Sequence, residues 1–399
     1  MYKRLLKLDK LYGAQNYKPL PVVLNRGEGV HVFDVEGKQY YDFLSSYSSV
    51  NQGHCHPKLV NVMKEQCEKL TLCSRAFYNE NLCNFFEYMH KKFGYDKSLP
   101  MNTGVEASET AVKLARLWGY KTKKLPQDKA EFIVARNNFW GRSIAACSSS
   151  TDPSCFTNFG PFVPGFHFVD FNNLQKLEDV LKTRPNVVGF MVEPIQGEAG
   201  IQIPDDDYLV KAKMLCEKYN CLLICDEVQT GIGRTGKMLA SHTIKPDMVV
   251  LGKALSGGMM PVSCVLGDNK VMDLVEPGTH GSTYGGNPLG TAIVPHAVDI
   301  IESEGLLENA EKQGKQFRDE LKIFVHLGVL KDVRGKGLLN AIELDDEESA
   351  NRLVENMMNR GLLTKVTREG TIRMCPPLVI SDMEMDNSLN IIRRCLSDL

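Results

Sequence analysis

The chain has 399 residues, 43% of them hydrophobic and 24% charged, enough apolar content to bury a large core in two or three domains. Its 47 lysines and arginines against 49 aspartates and glutamates leave a formal net charge of −2, so no field of one sign favours nucleic acid or a membrane surface, and small molecules are the expected partners. Twelve cysteines at uneven spacing are expected to be reduced core thiols without structural disulfides, which leaves a redox partner at the more exposed ones open.

Residues 1–48 are expected to form an N-terminal segment of short strands and loops, with strands at 32–35 and 39–43 around a turn at Glu36 and Gly37. The opening MYKRLLKLDK is basic, but it lacks serine and carries an aspartate, a poor organelle presequence; cytoplasmic residence is expected. His54, Cys55 and His56 have no second ligand cluster at a supporting spacing, so no metal is expected there.

Residues 49–285 alternate strand and helix, the pattern of a large α/β domain with a mostly parallel central sheet flanked by helices. Asn102, Thr103, Gly104, Val105 and Glu106 open a helix whose apolar face is Ala107, Ala111, Leu114, Ala115 and Trp118. Thr103 and Glu106 form a capping box, and Gly104 lets backbone amides approach an anion at the positive end of the helix. Taken alone, the segment also fits a helix that is merely capped. Three apolar runs follow, at 187–192, 222–225 and 248–251, with Glu193, Asp226 and Lys253 at or just beyond their carboxyl ends. Ligands of open α/β sheets sit outside those ends, so three ionisable groups arriving together mark a site.

Two motifs mislead. Gly231, Gly233 and Gly236 spell GxGxxG, yet Pro246 interrupts any following helix and no acidic residue stands at the ribose position, so a glycine-rich turn is expected. Gly252 and Lys253 look like the end of a nucleotide-binding loop, but Asp247 replaces its first glycine and Ala254 its hydroxyl residue. Residues 286–399 turn to long polar helices such as 307–324, with strands near 338–343 and 362–366, read as a small α+β C-terminal domain.

A phosphate-binding helix start, an aspartate at one strand end and a lysine at another are what pyridoxal 5'-phosphate needs from a protein. In that order, NTGVEA (102–107), VEPIQGEAG (192–200), CDEVQTGIGRTG (225–236), LGKALSGG (251–258) and GSTYGGNP (281–288) resemble the class III branch of fold type I aminotransferases over nearly the whole chain. Within it, NYKPLP (16–21), FLSSYSSVNQGHCHP (43–57), SRAFYN (74–79) and NFWGRS (138–143) resemble the members that act on ornithine.

The resemblance implies Lys253 as Schiff-base lysine and proton carrier, and Asp226 as partner of the pyridine nitrogen. It implies Gln229 at the ring hydroxyl, Phe139 stacked on the ring, the amides of Gly104 and Val105 on the phosphate, and Glu193 at the same cofactor site. Thr283 would reach the cofactor phosphate of a neighbouring subunit, making a homodimer with a composite active site. Arg142 would bind the α-carboxylate of ornithine and later the distal carboxylate of 2-oxoglutarate, with Tyr17 on the α-amine and Tyr47 shaping that end. Arg373, masked by Glu198 in the first half-reaction, would be released to hold the α-carboxylate of 2-oxoglutarate or glutamate. The expected kinetics are ping-pong. Cys225, beside the cofactor aspartate, leaves open a thiol near the site that oxidation could disturb. Alternatives are a relative acting on acetylornithine or 4-aminobutyrate, and a non-catalytic scaffold, which would be expected to lose Lys253 or Asp226.

Overall fold

The protein, described over residues 2–399 of a computed structural model, begins with a helix, Tyr2–Tyr12, where strands and loops were expected. No residue of that helix is buried, so its neighbours did not have to select it: the run YKRLLKLDKLY lacks glycine, proline and β-branched residues and satisfies its own backbone. Three short strands follow, β1 (Leu24–Glu28), β2 (His31–Asp34) and β3 (Gln39–Asp42), in an antiparallel ribbon. Asp34 Oδ1 accepts the amides of Glu36 and Lys38, which sets the β2–β3 turn.

The large domain is built on a seven-stranded sheet. Its strands are β4 (Lys97–Met101), β5 (Glu131–Ala135), β6 (Phe166–Val169), β7 (Val187–Val192), β8 (Leu222–Asp226), β9 (Met248–Leu251) and β10 (Ser263–Gly267), in the order β4-β10-β9-β8-β7-β5-β6. All neighbours from β9 to β6 pair in parallel, and β10 runs antiparallel between β4 and β9. Every residue of β7, β8 and β9 is buried, as strands covered on both faces must be, which is why they read as unbroken apolar runs. Strand β10 was not singled out from the sequence, although Ser263–Gly267 is as fully buried.

Beyond it, β11 (Asp332–Lys336), β12 (Leu339–Glu343), β14 (Lys365–Arg368) and β15 (Thr371–Met374) form a four-stranded antiparallel sheet. The expected strand at 362–366 divides: β13 (Leu362–Leu363) pairs with β3 in the N-terminal ribbon, and β14 pairs with β15. The chain changes sheets at buried Thr364, whose hydroxyl bonds the carbonyl of Arg373. The helix Pro288–Ser303 packs on the large-domain helices Pro57–Cys67 and Glu80–Phe93, whereas the next helix, Leu306–His326, packs on β11. The seam is clasped at the glycine-rich turn. Fully buried Arg234 donates to Asn51 Oδ1, to the carbonyl of Leu338 at 3.0 Å and to that of Pro376 at 2.6 Å. Among the described residues no helix is long and apolar enough to cross a membrane.

Candidate active site

Strand register assembles the site. Val192 faces Cys225 across β7 and β8, and Asp226 faces Val250 across β8 and β9, so Glu193 and Asp226 leave adjacent strands at one level, and Lys253 follows just beyond the end of β9 at Leu251. Asp226 is 5% exposed, and burial pushes its pKa up to about 6 against the Val228 amide, Lys253 and the Ser108 hydroxyl. Lys253 follows extended Gly252 and takes a left-handed φ of 46°, a conformation a non-glycine residue keeps only where its surroundings hold it. Burial pulls its ammonium down to about 8, with Glu198 opposing. Glu193 is pushed up to about 8, by burial first and then by Asp226. Its carboxylate joins two loops: Oε1 accepts the Phe139 amide at 2.9 Å and Oε2 the Gly197 amide at 3.1 Å.

The helix Gly104–Lys121 starts beside this row with the capping box expected for it. Thr103 Oγ1 takes the amide of Glu106 and the Thr103 carbonyl that of Ala107, which leaves the amides of Gly104 and Val105 without an intrahelical acceptor. A Cβ on Gly104 would stand 3.0 Å from a Val228 methyl, so the backbone is bare there because a neighbour needs the space. Two free amides at a helix N-terminus, a buried aspartate and a lysine with a depressed pKa fit the phosphate, ring nitrogen and aldehyde carbon of pyridoxal phosphate respectively. Phe139 is half-buried, and the exposed Arg142 guanidinium lies 5.8 Å from its ring centroid.

Opposite stands Arg373, with no exposed surface. Its Nη2 donates to Glu198 Oε1 at 2.7 Å and to the Gly197 carbonyl at 3.2 Å, its Nη1 to Gln229 Oε1 at 2.8 Å, and its Nε has no partner. Gln229, expected at a ring hydroxyl, is engaged in this network: its Nε2 also donates to Glu198 at 3.3 Å, because the turn after β8 brings its amide to Arg373. Burial works to raise the Glu198 pKa, but Arg373 and then Lys253 outweigh it and hold the carboxylate below its ordinary range.

Tyr47 approaches the same guanidinium, 5.1 Å from ring centroid to Cζ. Its backbone is unusual: Ser45, Ser46, Tyr47 and Ser48 have φ of 50°, 47°, 58° and 72°, a left-handed turn without glycine. Such residues cost about 1–2 kcal/mol each, and here the surroundings impose the turn. Asp42 Oδ1 accepts the amides of Leu44 and Ser45, and Ser45 Oγ donates to the Cys375 carbonyl at 2.7 Å. Tyr17 is 70% exposed, and the Tyr47 pKa is raised by burial first and then by Glu198.

Thr283 is exposed and makes no side-chain hydrogen bond to the site of its own chain; the neighbouring Ser282 accepts Asn102 Nδ2 at 2.9 Å. The Cys225 thiol is fully buried and burial pushes its pKa well up, which counts against its reaction with oxidants. All twelve cysteines are unpaired. His54 bonds Asp42 at 2.7 Å and His56 bonds Glu304 at 3.0 Å. Ser108, which sequence reasoning passed over, donates to Asp226 Oδ2 at 3.2 Å; no motif signals it, since a serine on a buried helix face reads as packing.

Among known proteins, the chain is 54% identical over 390 residues to the mitochondrial ornithine aminotransferase of Drosophila melanogaster, covering 97% of this chain and 90% of that one. The crystal structure of the ornithine aminotransferase from Toxoplasma gondii superposes with a TM-score of 0.98 at 45% identity, covering 100% of this chain and 95% of that one. The acetylornithine aminotransferase from Elizabethkingia anophelis superposes with a TM-score of 0.91 at 46% identity, covering 100% and 99%. The class-III aminotransferase family model matches residues 12–396, with the lysine, aspartate and helix start of the site inside the match, and the chain belongs to that family.

Proposed function

We propose that this chain transfers the side-chain amino group of L-ornithine to 2-oxoglutarate, giving glutamate 5-semialdehyde, which cyclises to pyrroline-5-carboxylate, and glutamate. The observation that carries the substrate assignment is the Glu198–Arg373 pair facing Tyr47, on a scaffold shared with ornithine aminotransferases. Bound pyridoxal phosphate supplies an electron sink and stores the amino group between the two half-reactions.

The chain's own residues do the rest. The amides of Gly104 and Val105 would hold the phosphate, Phe139 would cover the ring, and Asp226 would accept from the ring nitrogen in a charge-assisted bond worth about 1.5–3 kcal/mol. Lys253, with its pKa brought down to about 8, is charged or neutral at little cost near neutrality, as a group that takes a proton at Nζ and returns it must be. Glu193, at the same cofactor site, works through the amides of Phe139 and Gly197, holding the ring-covering loop and the Glu198 loop in register.

A diamino acid and a dicarboxylic acid must share one pocket. Arg142 takes the α-carboxylate of ornithine with Tyr17 on the α-amine, while Tyr47 shapes the pocket beside Arg373, which Glu198 neutralises so that no second carboxylate is drawn in. When Glu198 swings away, Arg373 pairs with the α-carboxylate of 2-oxoglutarate or glutamate. The side chain of Glu198 keeps 29% of its surface exposed, against none for Arg373, so the carboxylate is the member free to move.

The working unit in this reading is a homodimer. Support comes from Thr283, exposed beside Tyr284, which is itself 57% exposed, with no side-chain hydrogen bond of its own among the described residues. Domain limits of 1–48, 49–285 and 286–399 and cytoplasmic residence belong to the same proposal. Trapping pyrroline-5-carboxylate with o-aminobenzaldehyde, with ornithine, N-acetylornithine and 4-aminobutyrate as competing donors, tests the assignment. Product from ornithine at the expense of the other two supports it; preference for either competitor removes the roles given to Tyr17 and Tyr47.

A further inference from the structure

We propose that Ser108 is a positioning residue for this reaction: its hydroxyl, donated to Asp226 Oδ2 at 3.2 Å, orients the carboxylate that meets the cofactor's ring nitrogen. The inference rests on the role of Asp226 proposed above and adds what sets the plane and charge of that group. Ser108 lies one turn into the helix Gly104–Lys121 and has no exposed surface. The other carboxylate oxygen, Oδ1, accepts the Val228 amide at 3.0 Å. A carboxylate anchored on one oxygen turns easily about its last torsion, which is broad and two-fold; a second anchor from a different element removes that freedom. One rigid helix thereby refers both ends of the cofactor to itself, the phosphate through its first two amides and the ring nitrogen through Ser108.

The hydroxyl also biases charge. Burial pushes Asp226 towards its neutral form, and Glu227 in the same chain segment adds to that push, while Glu193 at the end of β7 is itself pushed towards its neutral form by burial and then by Asp226. Against them stand the Val228 amide, Lys253 on the short helix Lys253–Ser256, and Ser108. A neutral acid cannot form the ion pair with a protonated ring nitrogen, so losing the hydroxyl weakens the hold on the cofactor most where Asp226 begins to protonate.

The test is cofactor release from the diluted holoenzyme between about pH 5 and 8, followed by the fluorescence of free pyridoxal phosphate, for wild type and Ser108→Ala. The variant should hold its cofactor about tenfold more weakly near pH 6 and about threefold more weakly at pH 8, with the acid limb of binding moved to higher pH. Ser108→Thr keeps the donor and should return the limb to its wild-type place; if the added methyl prevents folding, Ser108→Ala alone decides. Unchanged binding, or equal weakening at every pH, overturns the proposal, because a packing role has no reason to follow the charge of Asp226. Asp226→Asn is the control: if it binds the cofactor as wild type does, the role of Asp226 itself fails, an outcome distinct from failure of Ser108 alone.

Discussion

Replacing Glu198 by glutamine removes the charge facing Arg373 while keeping the shape and one acceptor oxygen. Arg373 stays where it is, because Gln229 Oε1 at 2.8 Å and the Gly197 carbonyl at 3.2 Å still hold the guanidinium. What changes is its neutralisation. A hydrogen bond between charged groups contributes about 1.5–3 kcal/mol against about 0.5–1.5 for a neutral one, a difference of about 1–2 kcal/mol, or roughly tenfold. Breaking a buried ion pair can cost about 3–5 kcal/mol, but Glu198 is partly open to solvent and the lower figure applies. Glu198→Gln should therefore lower kcat/KM for the ornithine half-reaction and raise it for the glutamate half-reaction, moving their ratio about tenfold towards glutamate. Single-turnover experiments with each donor alone, read from the cofactor's absorbance, separate the two. If both half-reactions slow by the same factor, Glu198 is only a structural support and the switching argument is wrong.

Lys253→Ala should cost at least about a thousandfold in turnover, the scale of a lost general base and nucleophile together, and borohydride should no longer fix the cofactor to the chain. Gly104→Ala places a methyl 3.0 Å from Val228 beside the two free amides; an anion cradle pushed apart there should release pyridoxal phosphate about tenfold more readily, measured by equilibrium dialysis. Glu193 tests the electrostatics of the cofactor-free protein. Its folded pKa of about 8 lies above its ordinary 4.5, so the folded state binds the extra proton: the contribution to stability is full below about 4.5 and is lost as pH rises through 8. Glu193→Gln should flatten that fall in denaturant titrations between pH 5 and 8; an unchanged slope would mean that the carboxyl is not buried as described.

What the sequence determined by itself were the features that depend on near neighbours. The capping box of Thr103 and Glu106, the fully buried runs of β7, β8 and β9, and the charged residue after each are local patterns, and the structure has them at the expected positions. The Tyr2–Tyr12 helix was local too and was missed because its composition was read for targeting rather than periodicity. What only the tertiary structure decided were the pairings between distant segments. Leu362–Leu363 and Lys365–Arg368 join different sheets because their partners, β3 and β15, lie on different bodies of the fold. Ser45 to Ser48 take left-handed angles because Asp42 and Cys375 hold them, against the preference of every residue involved. Gln229 turns to Arg373, 144 residues away, and Ser108 to Asp226, 118 residues away. Periodicity and capping act within a few residues of one another and are written along the chain, whereas a hydrogen bond between distant segments exists only after the core has brought them together.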